Sequence, residues 1–275
     1  MTRTAACVIV KNEARDILEW LAYHSLLGFD ALIVFDNDST DATGIIVQKA
    51  MRRFPIHYWP WHRSDPESQT GAYEEACRHF RDEFDWIGFY DADEFLVLHQ
   101  HESIAAFLAG FRPFAAVAVN WAIFGANGHE DYHRGLVIES FTRRAPADFA
   151  PNRHVKSFVR PAQVRRCPNP HFFAVDGAYC DPAGAPVEWL RLMDGHELPL
   201  GLSARPPDYS RCQLNHYFTR SRAHWAEKLR RGYPEGGPVR RDEEFDFYNR
   251  NEIEDRSACA RAAAVRARMT EFADA

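Results

Sequence analysis

The stretch WIGFYDADEFLVL, residues 86–98, places three acidic residues between two apolar runs. Its first part, Trp86–Tyr90, has the length and composition of a short buried strand. Asp91 and Asp93 follow two positions apart, so both carboxylates face the same side of an extended segment, and Glu94 adds a third acid. Acids in such a place are costly unless they are paired or bind a metal ion, and oxygen ligands suit Mg²⁺ or Mn²⁺. The pattern predicts Asp91 and Asp93 as metal ligands, with a solvated strand end as the alternative.

The residues before this stretch alternate short apolar runs with helical patterns, which is typical of a parallel α/β sheet. The predicted strands are Ala5–Val10, Ala31–Phe35, Ile56–Trp59 and Trp86–Tyr90. Three helices are predicted between these strands. The first is capped by Asn12 and contains the apolar residues Ile17, Leu18, Leu21 and Leu27 at helical spacing. The second covers Ala42–Arg53, and the third covers Glu67–Phe84. We therefore expect an α/β fold with a mostly parallel central sheet.

Polar residues gather at the ends of the first, second and fourth predicted strands. These residues include Lys11, Asn12, Glu13, Asp36, Asp38, Asp91 and Asp93. In an open parallel sheet, ligands bind in the crevice outside the carboxyl ends of the strands. We therefore expect the three clusters to form one site.

The second half of the chain is less regular. Its predicted strands and helices are Val117–Ile123, Val155–Arg160, Trp225–Arg231 and Cys259–Phe272. The stretch Arg165–Pro207 is rich in Pro and Gly, which predicts turns and short hairpins. A single domain over residues 1–275 fits this pattern better than two domains.

Composition excludes several classes of protein. The formal charge of −6 gives no basic footprint for nucleic acid. No stretch approaches the roughly 20 apolar residues that span a bilayer, and the N-terminus lacks the layout of a signal peptide. We therefore expect a cytoplasmic protein, with peripheral membrane association left open. The six cysteines show no CxxC spacing, which argues against a zinc module or a redox dithiol.

Several segments together resemble a known family. They are VKNE (10–13), EWLAYH (19–24), FDNDSTD (35–41), DWIGFYDADEF (85–95), WAIFG (121–125) and NHYF (215–218). The chain resembles bacterial glycosyltransferase family 2-like proteins over about residues 8–232, and its DxD-Glu-Phe core is similar to glycosyltransferase family 92. The resemblance implies a GT-A fold, with a nucleotide-binding half over residues 1–112 and an acceptor half over 113–275.

The resemblance also implies an activity and its ligands. These are transfer of a sugar from a nucleotide-diphosphate sugar, first of all a UDP-sugar, to a glycan or small hydroxyl acceptor, with Mn²⁺ or Mg²⁺, as in polysaccharide biosynthesis. Carried over to this chain, the residues expected at the base and ribose are Lys11, Asn12, Glu13 and Asp36, with Asp38 nearby. Helix capping is the alternative for Asp38, because many family 2 members have DDGSTD where this chain has DNDSTD. Gln69 is expected to line the donor pocket, although residues on helix surfaces are commonly just solvated.

His216 stands where the family pattern places a third metal ligand. A neutral imidazole would add a ligand without adding a negative charge beside a diphosphate; a core histidine is the alternative. Lys228 and Arg220 are the preferred candidates to neutralise the diphosphate, ahead of Lys156 and Arg222.

An inverting transferase also needs a general base to take the proton of the acceptor hydroxyl. The candidates are Glu130 and Asp131, with Glu139 in reserve, and a solvated loop acid is the alternative for each. Inversion and retention both stay open.

Two alternatives to a glycosyltransferase belong to other functional classes. A sugar nucleotidyltransferase would carry a Gly-rich phosphate loop near its N-terminus, and residues 8–16 contain no glycine. The P-loop and GxGxxG motifs are absent as well. A catalytically inactive nucleotide-sugar-binding module would have no chemical reason to keep Asp91, Asp93 and His216 together.

Overall fold

The computed structural model describes residues 2–190, 200–232 and 239–275. The strands in these ranges are β1 (Thr4–Val10), β2 (Ala31–Asp36), β3 (Ile56–Pro60), β4 (Trp86–Tyr90), β5 (Glu94–Leu98), β6 (Ala116–Ile123), β7 (Arg143–Arg144), β8 (Val155–Val159), β9 (Val164–Asn169), β10 (Phe172–Val175), β11 (Tyr179–Cys180), β12 (Cys212–His216) and β13 (Ile253–Glu254). The helices are α1 (Ile17–Leu26), α2 (Thr43–Ala50), α3 (Ser68–His79), α4 (Ile104–Leu108), α5 (Val137–Ser140), α6 (Arg222–Arg231), α7 (Glu243–Tyr248) and α8 (Ala262–Ala273).

The first half of the large sheet is parallel. Its strands lie in the order β3-β2-β1-β4, and each neighbouring pair runs in the same direction. Strands β1, β2 and β4 are buried almost throughout, as expected for a sheet covered on both faces. The predicted α/β class is confirmed, and the predicted parallel arrangement of the central sheet holds for these four strands.

The second half of the sheet is mixed and curled. It continues from β4 through β8, β6 and β12 to β5, so three strands lie between β4 and β5. A flat sheet would separate β4 from β5 by four strand spacings, or about 19 Å. The chain has only the segment from Tyr90 to Glu94 to connect them, which spans at most about 14 Å. The sheet therefore has to curl, and the curl places the acidic turn between β4 and β5 inside the crevice.

Two hydrophobic clusters cover the two faces of the sheet. Alternate residues of β1 belong to different clusters, as the pleat of a strand requires. Helices α1 and α8 pack on the side of Ala6 and Val8, whereas α3 and the β9–β10 hairpin pack on the side of Ala5 and Cys7. Five of the six cysteines are buried and all six are free.

Several predicted boundaries are wrong, and one error has a structural cause. Asn12 does not cap α1, which begins five residues later at Ile17. Instead Asn12 has a positive φ of 55°, and its side-chain oxygen accepts a hydrogen bond from the backbone N–H of Thr40 at 2.7 Å. The residue thereby ties the loop after β1 to the loop after β2.

The remaining differences lie at helix ends and in the Pro-rich stretch. Helix α2 ends at Ala50, α3 ends at His79, and α6 begins at Arg222, where Ser221 accepts the backbone N–H of His224. The predicted turns and hairpins between Arg165 and Pro207 include the β9–β10 hairpin. Residues 191–199 of that stretch lie outside the described residues. None of the helices in the described ranges is long and apolar enough to cross a membrane.

Candidate active site

Asp91 begins the turn between β4 and β5 and is held by two side chains. The amide of Gln69 on α3 donates to Asp91 Oδ1 at 2.6 Å, and Lys156 Nζ on β8 lies 2.7 Å from the same oxygen. Gln69 also donates to the hydroxyl of Tyr73, which in turn donates to the backbone of Tyr90. Burial opposes ionisation of Asp91, but the charge and hydrogen bond of Lys156, together with the charge of His216, leave the pKa of Asp91 below its usual value. Gln69 therefore lies at the acidic turn, and its role in lining a donor pocket stays a prediction.

Asp93 contacts two residues from far along the chain. Its Oδ1 lies 3.3 Å from His216 Nε2 at the end of β12, and its Oδ2 accepts a hydrogen bond from Lys228 Nζ on α6 at 2.6 Å. Lys228 also donates to the backbone oxygen of Phe218. Burial opposes the ionised form, but Lys228 and His216 hold the pKa of Asp93 well below its usual range. Burial also lowers the pKa of Lys228, to about 8, against the opposite effect of Asp93.

Glu94 is fully buried at the start of β5. Its Oε1 accepts from Trp121 Nε1 at 2.6 Å, and its Oε2 accepts from the backbone N–H of Asp91 at 2.8 Å. Lys156 Nζ lies 3.6 Å from Oε2. Burial raises the pKa of Glu94 well above its usual range. Glu94 thus holds the backbone of the acidic turn through a hydrogen bond to Asp91. The sequence did not reveal this role, because the other partner of Glu94, Trp121, lies on β6.

Asp91, Glu94 and His216 form a group that could hold a divalent cation. One ligand atom each from Asp91, Glu94 and His216 lies within 4.8 Å of the other two. His216 Nδ1 is buried and has no hydrogen-bond partner among the described residues. Asp93 stands beside this group through its contact with His216. Of the three predicted ligands, Asp91 and His216 belong to this group together with Glu94, whereas Asp93 lies beside it, and a ligand role for each stays a prediction.

The loops after β1 and β2 form a second wall of the crevice. Asp36 accepts a hydrogen bond from the hydroxyl of Tyr58 at 2.7 Å, and Asp38, with a positive φ of 57°, lies 2.6 Å from His62 Nδ1. Lys11 is exposed, and its backbone oxygen accepts from Arg231 at 2.8 Å. The structure places the predicted nucleoside-contacting residues in neighbouring loops.

Arg220 joins this wall to the acidic turn. Its side chain is buried, with Nη1 2.5 Å from Asp16 Oδ2 and 3.5 Å from Glu13 Oε2, while Nη2 donates to the backbone oxygen of Ala92 at 3.4 Å. Arg231 also pairs with Glu13, at 2.7 Å. The sequence suggested Arg220 as a partner of a diphosphate, but the structure commits its guanidinium to Asp16.

The predicted general bases lie on the loop between β6 and α5, which contacts the start of α6. Glu130 and Asp131 are exposed, and the backbone oxygen of Glu130 accepts from the N–H of Ala223 at 2.9 Å. Within the described ranges their carboxylates make no contact with the acidic turn. Glu139 forms an ion pair with Arg266 on α8. A base role for any of the three stays a prediction.

Comparisons with known proteins identify the family. Residues 5–182 match the model of glycosyltransferase family 92. A glycosyltransferase family 92 protein of Ricinus communis is 29% identical over 170 residues, which cover 57% of this chain and 28% of that protein. One from Oryza sativa is 29% identical over 161 residues, covering 56% of this chain and 26% of that protein. The chain spans about a quarter of the length of these curated relatives.

Among solved structures, S. aureus TarS 1–349 in complex with UDP is similar over 58% of this chain and 47% of that chain, with 17% identity and a TM-score of 0.38. Glucosyl-3-phosphoglycerate synthase from Mycobacterium tuberculosis is similar over 44% of each chain, with 19% identity and a TM-score of 0.31.

The parallel sheet and the polar crevice at its carboxyl edge define an α/β protein of the kind that binds ligands beyond its strand ends. The matched region contains β1 to β11 and the acidic turn, whereas His216 and Lys228 lie beyond it. The chain belongs to glycosyltransferase family 92. This membership agrees with the predicted GT-A class and with the resemblance noted in the sequence.

Proposed function

We propose that the chain is a glycosyltransferase that moves a sugar from a nucleotide-diphosphate sugar, with a UDP-sugar as the donor to test first, to a glycan or small hydroxyl acceptor. The observation that carries the proposal is the meeting at Asp93 of His216 and Lys228, from two elements far along the chain. Family membership supports the class of reaction. We further propose polysaccharide biosynthesis in the cytoplasm as the setting.

The cation is proposed to be Mn²⁺ or Mg²⁺, held by Asp91, Asp93 and His216, with Glu94 close by. When bound, such an ion supplies positive charge that stabilises the diphosphate as it leaves. A bound cation would share the carboxylates of Asp91 and Asp93 with the ammonium groups of Lys156 and Lys228.

The chain's own residues then have separate tasks. Lys228 reaches the turn from α6 and can pair with a phosphate oxygen in place of Asp93. Gln69 orients Asp91 through its amide. The loops that contain Lys11, Asn12, Glu13, Asp36 and Asp38 are proposed to hold the base and ribose.

Glu130 or Asp131 is proposed as the general base. Their loop abuts the start of α6, the helix that carries Lys228. Alanine at the responsible position should lower kcat far more than donor affinity, because the base acts on the acceptor. Steady-state kinetics of the two single variants test this, with Glu102→Ala as an exposed control. Normal kcat in both variants would redirect the search to Glu139 or to a retaining mechanism.

A donor screen tests the proposed function as a whole. The chain is incubated with nucleotide-diphosphate sugars and Mn²⁺, and release of the nucleoside diphosphate is measured with and without candidate acceptors. Transfer or slow donor hydrolysis that requires Asp91 supports a glycosyltransferase. Formation of a nucleotide sugar from a sugar phosphate and a nucleoside triphosphate would instead indicate a nucleotidyltransferase. Donor binding with no turnover would indicate an inactive binding module.

A further inference from the structure

A second cluster of ligand-type side chains lies outside the acidic turn. Asp16 precedes α1, His133 lies in the loop before α5, and His224 is on α6. One ligand atom of each lies within 4.8 Å of the other two, and the three side chains are only 3–5% exposed. We propose that these residues form a second metal site, which binds Zn²⁺ or a similar transition-metal ion through two imidazoles and one carboxylate.

The distances fit such an ion with little movement. His133 Nε2 lies 3.4 Å from Asp16 Oδ1, and His224 Nε2 lies 3.6 Å from Asp16 Oδ2. Tetrahedral zinc with bonds of about 2.0–2.1 Å places its ligand atoms about 3.4 Å apart. Two imidazoles and a carboxylate are also ligands that zinc commonly uses in proteins.

The hydrogen bonds of the cluster leave an atom for the ion. His224 Nδ1 lies 2.7 Å from Ser221 Oγ, and with a proton on Nδ1 the Nε2 lone pair faces Asp16. His224 Nε2 is buried and has no hydrogen-bond partner in the described part of the chain. A lone pair and a carboxylate repel each other unless a cation lies between them. Ser221 would then act as the outer partner that orients a ligating histidine.

The neighbouring charges are compatible with an ion here. Arg220 and His224 both face Oδ2 of Asp16, at 2.5 and 3.6 Å, whereas His133 faces Oδ1. One carboxylate oxygen can therefore ligate the ion while the other keeps the guanidinium. Glu13 lies 3.5 Å from Arg220 and offsets part of the added positive charge.

An ion at this position would connect three distant parts of the chain. His224 and Lys228 are four residues apart on α6, so they lie on the same face of this helix. An ion that fixes His224 against Asp16 would thereby fix the helix whose Lys228 reaches Asp93. We assign the ion a structural role, and its binding can be tested without measuring transferase activity.

The test counts bound metal in the full chain, prepared without a histidine tag. The protein is stripped with a chelator, reloaded with Zn²⁺ or Co²⁺, freed of excess ion and analysed by mass spectrometry of the metal. Wild type and the Asp91→Asn/His216→Asn variant should each keep one Zn²⁺, and bound Co²⁺ should give the visible absorption of a tetrahedral complex. The His133→Gln/His224→Gln variant should lose both signals, whereas His79→Gln, at an exposed histidine of α3, should keep them.

A second readout guards against a misfolded variant. Glutamine retains an N–H donor for Asp16, and circular dichroism checks that the metal-free variant is folded. Zn²⁺ should raise the Tm of wild type and leave that of His133→Gln/His224→Gln unchanged, because only a folded protein with the site is stabilised by binding. Wild type that retains no Zn²⁺ or Co²⁺ overturns the proposal. So does Zn²⁺ that persists in the histidine variant but is lost with Asp91 and His216.

Discussion

Asp93 is held in its ionised form by residues that do not neighbour it in sequence. His216 and Lys228 lie 3.3 and 2.6 Å from its two oxygens, and the side chain is 10% exposed. A buried carboxylate of this kind depends on its partners, and they depend on it. Both function and stability are therefore expected to respond to a change at this one position.

Asp93→Asn should abolish transfer while the fold remains. The amide keeps the shape but removes the charge that holds a cation, and a loss of 10³-fold or more corresponds to about 4 kcal/mol of transition-state stabilisation. The variant should also be about 1–3 kcal/mol less stable, because Lys228 loses its counter-charge. Transfer rates and urea unfolding measure the two effects, with the exposed Asp82→Asn as the control. Normal turnover would make Asp93 a structural residue only.

At this scale the sequence predicted part of the site. Asp91 and Asp93 stand out because an apolar strand precedes them, whereas Gln69 is singled out through the family resemblance. Lys156 and Glu94 could not be ranked correctly, since each is buried against partners from other strands. Nothing in the local pattern around Lys156 distinguishes a buried lysine from a solvated one. Arg220 was preferred as a diphosphate partner for its proximity to His216, and its ion pair with Asp16, 204 positions away, could not be predicted from the local sequence.

Helix α6 brings Lys228 to the acidic turn. It begins after the cap Ser221, and on one face of the helix His224 approaches Asp16 while Lys228 pairs with Asp93. Lys228 packs over the ring of Phe218, with its ammonium 4.7 Å from the ring centre. Its aliphatic stem and its charge can therefore be separated by substitution.

Lys228→Met should weaken UDP binding by 10-fold or more, or about 1.4 kcal/mol. Methionine keeps the packing on Phe218 but lacks the ammonium that can pair with a phosphate. Calorimetry with Mn²⁺ present measures the change, and Lys49→Met, at an exposed lysine of α2, provides the control. An unchanged affinity would show that Lys228 serves Asp93 alone.

Helix α1 carries a histidine into the core directly beneath the sheet. His24 is fully buried and stacks on Trp20, with 4.1 Å between the ring centres. Its Nε2 atom has no hydrogen-bond partner among the described residues. Burial lowers the pKa of His24 to about 3, although a hydrogen bond to the backbone oxygen of Trp20 opposes the shift. The folded protein therefore keeps this ring neutral at pH values where an unfolded chain takes up a proton.

His24→Phe should reduce the loss of stability in mild acid. Between about pH 6.5 and pH 3 only the unfolded state binds a proton at this position, so stability falls as the pH falls. From pH 7.5 to pH 5 wild type should lose about 2 kcal/mol more than His24→Phe, which has no proton to bind. Urea unfolding at the two pH values measures the difference. His79→Gln should behave as wild type, and parallel losses in all three proteins would contradict the assignment.

Elements formed by local pattern were predicted more reliably than those set by distant contacts. The bounds of β4 agree with the prediction because five apolar residues stand between charged ones. Helix α1 was started too early, since Asn12 has the composition of a cap but is used to join two loops. The pairing of β12 between β5 and β6 could not be read from any one segment.

The whole molecule combines negative and positive groups in one crevice, so its affinity for a diphosphate should depend on an added cation. UDP should bind at least 10-fold more tightly with Mn²⁺ than with a chelator, because the acids of the turn repel phosphate unless a cation lies between them. Calorimetry under both conditions measures this. Uridine, which lacks phosphates, should bind equally in both. Equal affinity for UDP with and without the metal would contradict the proposed role of the cation.

The curl of the sheet also determines which strands can pair first while the chain is being synthesised. Strand β5 leaves the ribosome directly after β4, yet the strand with which it pairs in the described structure is β12, more than 110 residues later. Domain-sized segments begin to fold as they emerge, and contacts between distant residues form slowly. The parallel strands β1 to β4 can therefore assemble early, while Glu94–Leu98 has no partner among the described strands until β12 has been made. A nascent chain that stops before Cys212 would carry the acidic motif without its histidine and lysine, so the site can become competent only at the end of folding.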